Sequence, residues 1–269
     1  MARTLRPLSL GQILDETFNI YRNNFVLFIT ISAIPNAIVL VLQLGLDSTI
    51  NANSGSGTIL IALGGLAAVF AALFATSLVT AATTLGVSDI YLETPTSASS
   101  CFSRVSDKVL PVLGVSIAVG FIILIGCILL IIPGIYWAGL YGLAVPAVVL
   151  ENIAPGQGLK RSSTLASGSV GRVIVVYFLA AVLAFIMALV LKTILSTVGS
   201  AFASHGIAKA AWDQVISTIT TILFGPISAI AITLTYYDQR IRREAFDISH
   251  MMSLMNKTAP DLEARGMNS

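Results

Sequence analysis

The sequence predicts an all-α, polytopic membrane helix bundle with six transmembrane helices. Its 269 residues are 56% hydrophobic and only 10% charged, whereas an average soluble domain is about 25% charged. Crossing a hydrocarbon core of about 30 Å takes roughly 20 apolar residues in a helix. Five stretches of about that length or longer contain no Asp, Glu, Lys, Arg or His: Phe25–Leu46, Thr58–Leu85, Val109–Leu150, Val173–Leu191 and Gln214–Tyr237.

An amphipathic helix is predicted over residues 9–24, ahead of the first span. Ser9 can cap its N-terminus, and Gln12 occupies the capping-box position three residues later. Its apolar residues follow the spacing of one helical face. These residues are Leu10, Ile13, Leu14, Phe18, Tyr21 and Phe25. Because its polar face is poor in Lys and Arg, we expect it to dock on its own bundle rather than to act as a free membrane anchor.

The charge-free stretches divide into six spans. The stretch Val109–Leu150 is too long for one crossing, and Pro133-Gly134 predicts a tight hairpin turn near its middle. Pro35 and Pro226 fall inside spans, where we expect kinks rather than gating hinges. The predicted spans are 25–46, 58–85, 109–132, 134–150, 173–191 and 214–237.

Two loops face the side opposite the termini. Residues 47–57 are predicted to form a flexible loop. Residues 192–213 are long enough for a short helix, with Trp212 at the membrane interface. The chain forms a single membrane domain over residues 1–255, and the polar tail 256–269 is predicted to be disordered.

A weak internal repeat organises the chain. Before the first, third and fifth spans, a proline opens a polar-to-amphipathic segment: Pro7–Phe25, Pro95–Val112 and Pro155–Val173. The layout predicts three helical hairpins, each with an in-plane lead-in helix on the cytoplasmic side. Because only the spacing supports the repeat, duplication and convergence both remain open.

The distribution of Lys and Arg predicts the orientation. Thirteen of the fifteen lie on the side of the termini, and only Lys192 and Lys209 lie on the other. By the positive-inside rule both termini are cytoplasmic, in a cell membrane of the inner-membrane type. The net charge of +2 is too small to indicate a nucleic-acid partner.

The last span continues into a charged helical segment. Tyr236 and Tyr237 suit the headgroup level. Three i,i+4 pairs follow: Asp238 with Arg242, Arg240 with Glu244, and Arg243 with Asp247.

Two interpretations of this basic helix end remain open. One is a stop-transfer end that attracts anionic lipid headgroups. The other is an intramolecular clasp, in which Asp15 and Glu16 of the first helix meet Arg240, Arg242 and Arg243.

The two ends of the chain resemble the membrane-domain family named after glycerophosphoryl diester phosphodiesterases. The resemblance rests on Leu10, Gly11, Ile13, Leu14 and Asp15, and on Tyr236, Tyr237, Asp238, Arg240, Arg242, Glu244, Phe246 and Asp247. Ala245 departs from the glycine expected there. The resemblance implies a stand-alone six-helix module without the family's soluble catalytic domain.

Residues for enzymatic chemistry are missing from the pattern. The catalytic domain of that family resembles a TIM barrel, which needs about 250 residues. His205 and His250 are predicted on opposite sides of the membrane, so they cannot share a metal site. Gly156, Gly158, Lys160 and Ser162 only superficially resemble a Walker A loop. We therefore expect no enzymatic activity, no catalytic or metal-binding residue and no cofactor.

Two function classes remain. The first is a membrane scaffold, or a module that binds membrane lipids or a cytoplasmic protein partner. The second is a transporter of a lipid-like or small neutral substrate, since no charged group in the spans can relay ions. Small residues recur every four positions in the second span, and we expect them to serve helix packing rather than to line a path. They are Gly64, Ala68, Ala72, Thr76, Thr80 and Thr84.

Overall fold

A computed structural model describes residues 8–52, 58–200 and 206–244, and within these ranges it consists of helices joined by short turns, with no strand. The described part contains ten helices. They are α1 (Leu10–Asn23), α2 (Phe25–Ala52), α3 (Thr58–Tyr91), α4 (Ala98–Ser106), α5 (Val109–Leu129), α6 (Ile131–Tyr141), α7 (Ala144–Glu151), α8 (Pro155–Ala166), α9 (Val170–Ser200) and α10 (Gly206–Glu244).

Six helical segments are long and apolar enough to cross a membrane. Five lie within α2, α3, α5, α9 and α10, and the other is formed by α6 and α7 together. The all-α, six-span prediction is therefore confirmed. Large apolar side chains cover the outside of these segments, which is what a hydrocarbon solvent permits.

Three short helices, α1, α4 and α8, each precede a spanning helix and begin with the same type of backbone cap. The residue before each helix donates its N–H to the side chain three positions later: Ser9 to Gln12 (2.8 Å), Ser97 to Ser100 (3.2 Å) and Ala154 to Gln157 (3.2 Å). Ser9 also accepts from the Gln12 N–H, so the predicted capping box is confirmed. Each cap satisfies a donor that the first turn leaves free.

The turn between the third and fourth spans differs from the prediction. It lies at Leu130, which is extended (φ −165°, ψ 140°), and Pro133-Gly134 falls in the first turn of α6. Pro133 has no N–H to bond the carbonyl of Leu129, where α5 ends. In the first turn of α6 that missing donor has no cost, because the first four N–H groups lack partners in any case.

The fourth span is broken, with Gly142 and Leu143 separating α6 from α7. Pro146 explains the position, since its absent N–H would have bonded the carbonyl of Gly142. Both interruptions thus begin three to four residues before a proline.

The prolines in α2 and α10 do not end their helices. The carbonyl three residues before each proline accepts a hydrogen bond from a side chain. Asn36 Nδ2 donates to the carbonyl of Ser32 (2.8 Å), and the Tyr21 hydroxyl donates to the carbonyl of Leu223. The two bonds stabilise helix turns that each proline weakens.

Helix α1 packs lengthwise along α10, whereas the sequence predicted an in-plane helix. Leu8 contacts Asp238 and Arg242, and Tyr21 contacts Leu223. At 1.5 Å per residue, the two helices cover similar distances, about 20 Å, between these contacts, so they run antiparallel. The buried face of α1 explains the arrangement, because Ile13, Thr17, Ile20 and Tyr21 pack against the bundle.

The helices facing the opposite side are longer than predicted. Helix α9 continues to Ser200, α10 begins at Gly206 and α2 reaches Ala52. Most of the predicted 192–213 loop is therefore helical. Trp212 lies against Gly199, where a Cβ would come within 1.5 Å of the indole Nε1.

Burial is concentrated at one end of the bundle. In α3 and α10, the C-terminal halves are mostly buried, whereas most side chains described in the N-terminal halves are partly or fully exposed. Helices α1, α4 and α8 lie at these buried ends. We call this region, with the C-terminal ends of α3, α7 and α10 and the N-terminal end of α9, the polar end.

Candidate functional site at the polar end

Asp238 holds three parts of the chain together. Its side chain is 0% exposed and is bonded by Arg172 (Nε to Oδ2, 3.0 Å), by Arg242 (Nε to both oxygens, 3.1 and 3.0 Å) and by the N–H of Leu8 (2.9 Å). Both arginines also donate to the carbonyl of Leu8, Arg242 at 2.9 Å. The cluster joins the start of α1 and the start of α9 to the end of α10.

A second cluster links α7 and α8 to α10. Arg161 donates from Nε to both oxygens of Glu151 (2.8 and 2.9 Å) and from Nη2 to Glu244 (2.5 Å). Arg240 also bonds Glu244 (3.1 Å), and the Tyr236 hydroxyl donates to Glu151 (2.5 Å). Two carboxylates and two guanidiniums thus alternate, so their charges balance.

A third cluster connects α3 with α4 and α10. Both Asp89 oxygens accept from Arg104 Nη1 (2.9 and 2.8 Å). One position earlier, the Ser88 and Tyr237 hydroxyls lie 2.8 Å apart, and the rings of Tyr237 and Tyr91 lie 5.2 Å apart. The cluster fixes α4 against the end of the second span.

Two polar side chains satisfy backbone groups of the broken fourth span. Ser162 of α8, which is 0% exposed, donates to the carbonyl of Leu140 (2.8 Å) and accepts from the N–H of Leu143 (3.1 Å). Lys108 Nζ donates to the carbonyl of Val149 (2.8 Å), and burial lowers the pKa of this ammonium. Sequence reasoning missed both roles. Pro146 indicated a break in this span, but the carbonyls that accept from Ser162 and Lys108 are those of Leu140 and Val149, which the proline does not single out.

Arg242, one of the three arginines of the predicted clasp, bonds Asp238 and the carbonyl of Leu8, whereas Asp15 and Glu16 lie further along α1. Arg243 lies beside the turn at Gly168, where a Cβ would come within 3.1 Å of its Nη2. The pairs Asp238–Arg242 and Arg240–Glu244 are confirmed. The third predicted pair, Arg243–Asp247, extends beyond the described residues, which end at Glu244.

The residues that superficially resembled a phosphate loop form part of α8. Gly158 allows α8 to approach α7, since a Cβ there would lie 2.3 Å from Val148 Cγ2. Among the described residues, no group of three or more His, Cys, Asp or Glu side chains is close enough to hold a metal ion. His205 and His250 lie outside those residues.

The two cysteines differ in environment, and both are free. Cys101 of α4 is 0% exposed, and burial raises the pKa of its thiol. Cys127 is exposed on the surface of α5, within a spanning segment. Because the thiolate is the reactive form, Cys101 is poorly suited to act as a nucleophile.

Hydroxyl groups in the spans bond their own helices. Thr76, Thr80 and Thr84 each donate to the carbonyl four residues earlier, at 2.8 Å. Thr233 of α10 approaches Thr84 at 3.3 Å. The predicted packing role of this stripe fits these contacts, since a hydroxyl that bonds its own backbone is less available to a solute.

A surface groove of about 560 Å³ runs along α1. Five of its lining residues belong to α1, and Phe25 opens α2. The lining residues are Asp15, Phe18, Asn19, Tyr21, Arg22 and Phe25. A smaller cavity of about 270 Å³ lies between α2, α3 and α10, toward the other end of the bundle. There the amides of Gln43 and Gln214 bond each other beside Asp47.

No protein-family model matches this chain, and neither a curated protein nor a solved structure matches it.

Proposed function

We propose that this integral membrane protein is a non-enzymatic scaffold that binds membrane lipids or a protein partner at its polar end. The observation that carries the proposal is the use of the buried charges. Asp89, Glu151 and Asp238 are each held by arginines that join separate helices. Carboxylates paired in this way hold their helices in fixed positions. Because they are already bonded to arginines, they are poor candidates for acid–base catalysis.

The same end presents charge to its surroundings. Side chains of Arg104 and Arg242 remain 49% and 37% exposed while they bond their carboxylates. Partly exposed guanidiniums suit phosphate or carboxylate groups, which they bind in a bidentate manner. A lipid headgroup or an acidic protein segment carries such groups, whereas nothing in the charge pattern favours a nucleic acid.

Resemblance and orientation complete the proposal. We propose that the chain belongs with the membrane domains of the glycerophosphoryl diester phosphodiesterase type, in a cell membrane with both termini cytoplasmic. In support, residues 10–15 of the resemblance lie in α1, its residues 236–244 lie in α10, and Asp238 accepts from the N–H of Leu8 just before α1. The positive-inside distribution supports a cytoplasmic position for the polar end.

Native mass spectrometry of the gently purified protein tests this function. A stoichiometric lipid or a defined protein partner, lost when Arg240, Arg242 and Arg243 are neutralised together, is the expected result. Retention of neither by the unmodified protein would refute the scaffold function.

A transporter of a small neutral or lipid-like substrate is the second candidate. The cavity beside Gln43, Asp47 and Gln214 favours it, because amides that bond each other can exchange that bond for a solute. Uptake of neutral solutes into vesicles containing the protein, compared with vesicles containing a Gln43→Leu, Gln214→Leu variant, decides between the two functions. Equal uptake into the two kinds of vesicle would exclude transport through this cavity, and the scaffold function would remain.

A further inference from the structure

The groove on α1 contains two opposite charges without an ion pair. Asp15 and Arg22 both line it, and both are exposed. Within the described part of the chain neither forms a salt bridge, unlike Asp89, Glu151, Asp238 and Glu244. They are seven positions apart in the chain, which corresponds to about 10 Å along the helix. Phe18 lies between these charges, and Phe25 lies beyond Arg22.

The groups in the groove follow an order of depth. Helix α1 begins beside Asp238 and Arg242 and ends beside Leu223, which lies well inside the last span. Arg22 is three residues from Phe25, where the first span begins, and Asp15 is ten residues from it. Moving toward the bilayer, a ligand in the groove meets a carboxylate, then an amide, then a guanidinium and then an aromatic ring.

We propose that this groove binds a phospholipid with a primary ammonium headgroup, of the phosphatidylethanolamine type. The proposal rests on the lipid-binding function above and names its lipid class. Such a lipid has the same order of groups: an ammonium outermost, a phosphate beneath it and acyl chains below. Its ammonium bonds Asp15, its phosphate bonds Arg22, the two ethanolamine carbons between them lie beside Phe18, and the upper part of an acyl chain packs on Phe25.

The chemistry of the two charges excludes other common headgroups. A primary ammonium has three N–H donors for the carboxylate of Asp15. A choline headgroup has none, and a glycerol headgroup has no positive charge. Arg22 recognises the phosphate that all three share, so Asp15 decides the specificity and Arg22 supplies affinity for any phospholipid. The volume of about 560 Å³ lies in the range of small-molecule sites.

Titration of the delipidated full chain, followed by native mass spectrometry, tests the assignment. The ligands are phosphatidylethanolamine, phosphatidylglycerol and phosphatidylcholine with identical acyl chains, and soluble glycerophosphoethanolamine. The variants are Asp15→Asn and Arg22→Gln, both at exposed positions. Lys160→Gln is the matched control, because Lys160 is exposed on α8 and lies outside the groove.

We expect Asp15→Asn to lower the affinity for phosphatidylethanolamine about tenfold and to leave phosphatidylglycerol unchanged. Arg22→Gln lowers both by a similar factor, and Lys160→Gln lowers neither. Glycerophosphoethanolamine does not compete at equal concentration, since it lacks the acyl chain that contacts Phe25.

The opposing outcomes separate the two proposals. If the unmodified protein, Asp15→Asn and Arg22→Gln bind phosphatidylethanolamine equally, the groove on α1 is not the binding site. Lipid binding elsewhere at the polar end then remains. An equal loss of all three lipids in Asp15→Asn overturns the ammonium assignment. If the unmodified protein binds no phospholipid, lipid binding fails together with the groove, and only the protein-partner form of the proposed function remains.

Discussion

At the scale of the residue, Asp238 is a carboxylate at the polar end with partners in three separate parts of the chain. It receives an N–H from Leu8 and guanidinium N–H groups from Arg172 and Arg242, while its own side chain is fully buried. Removing one member of a buried ion pair leaves the other charge without compensation, which costs about 3 kcal/mol or more. Asp238 therefore ties the position of α1 to the ends of α9 and α10.

Asp238→Asn tests this role. We expect a loss of about 3 kcal/mol in the free energy of unfolding, measured in micelles, because two guanidiniums lose their carboxylate. Amide hydrogen exchange in residues 10–23 should accelerate as α1 loses its attachment. Asp107→Asn is the control, since Asp107 is exposed and forms no ion pair among the described residues. Equal effects of the two substitutions would contradict the role.

Tyr21 is a titratable residue of α1 whose hydroxyl donates to the carbonyl of Leu223 in α10. Burial raises the pKa of its hydroxyl to about 12, so the neutral form donates to Leu223. An unfolded tyrosine loses its proton near pH 10, two units lower. The stability that Tyr21 contributes is therefore complete below pH 10 and is lost as the pH rises toward 12.

Tyr21→Phe isolates this contribution. At pH 8 the variant should be less stable than the unmodified protein by about 1 kcal/mol, the value of one hydrogen bond. Near pH 11.5 the difference should shrink, because only the unmodified protein loses the contribution of this group. Unfolding free energies of both proteins at the two pH values provide the measurement, and a constant difference would refute the pKa argument.

At the scale of the element, the α5–α6 hairpin depends on two glycines. A Cβ on Gly126 would lie 2.8 Å from Gly134 Cα and 2.7 Å from the ring of Trp137. A Cβ on Gly134 would meet the backbone N of Cys127 at 2.8 Å. The two helix backbones are therefore in contact, and a contact between backbones cannot adjust as a side chain can.

Gly126→Ala should destabilise the protein by about 1–3 kcal/mol, as is typical of an overpacked site. Gly120→Ala in the same helix is the matched control, because a Cβ there meets nothing within 4 Å. The control should be neutral or slightly stabilising, since alanine favours the helix over glycine by up to about 1 kcal/mol. Thermal unfolding of both variants in one detergent compares them, and similar melting temperatures would contradict the close contact.

At the scale of the whole molecule, the lead-in helices share one end of the bundle. Helix α8 supplies Ser162 to the broken span, α4 supplies Arg104 to α3, and Leu8, just before α1, bonds α10. Burial follows the same asymmetry, since the opposite end exposes large apolar side chains on α2, α3, α5 and α9. A bundle of this kind is fixed at its polar end and solvated by lipid elsewhere.

Single cysteines test the orientation. In a cysteine-free background, Ser48→Cys should react with an impermeant maleimide in intact spheroplasts, because residue 48 lies at the end opposite the termini. Ser99→Cys and Gln157→Cys, exposed on α4 and α8, should react only after lysis. Labelling in the reverse pattern would show that the polar end is extracytoplasmic.

Helix positions and the cap of the first helix followed from local patterns. The missing charges together with Pro133-Gly134 located all six spanning segments, and Ser9 with Gln12 located the start of α1. The position of the turn between α5 and α6 was less predictable. Pro133 indicated a break, but the sequence did not show that the proline would sit inside the new helix, four residues after the end of the old one.

The candidate site was predicted only in part. Asp238, Arg240, Arg242 and Glu244 were identified from their i,i+4 spacing, which is a property of one helix. Arg172, Arg161 and Glu151 were missed, since their partners lie 10 to more than 60 residues away in the chain. No periodicity within one helix reports contacts over such distances.

The sequence by itself determined the six spans, the three lead-in helices and the side on which the cations accumulate, because hydropathy and charge act residue by residue. Only the tertiary structure decided that α1 lies along α10, that Asp238 also bonds Arg172 and the N–H of Leu8, and that Ser162 bonds the backbone on both sides of the break in the fourth span. The physical reason is that a buried carboxylate or a free carbonyl takes the nearest donor in space.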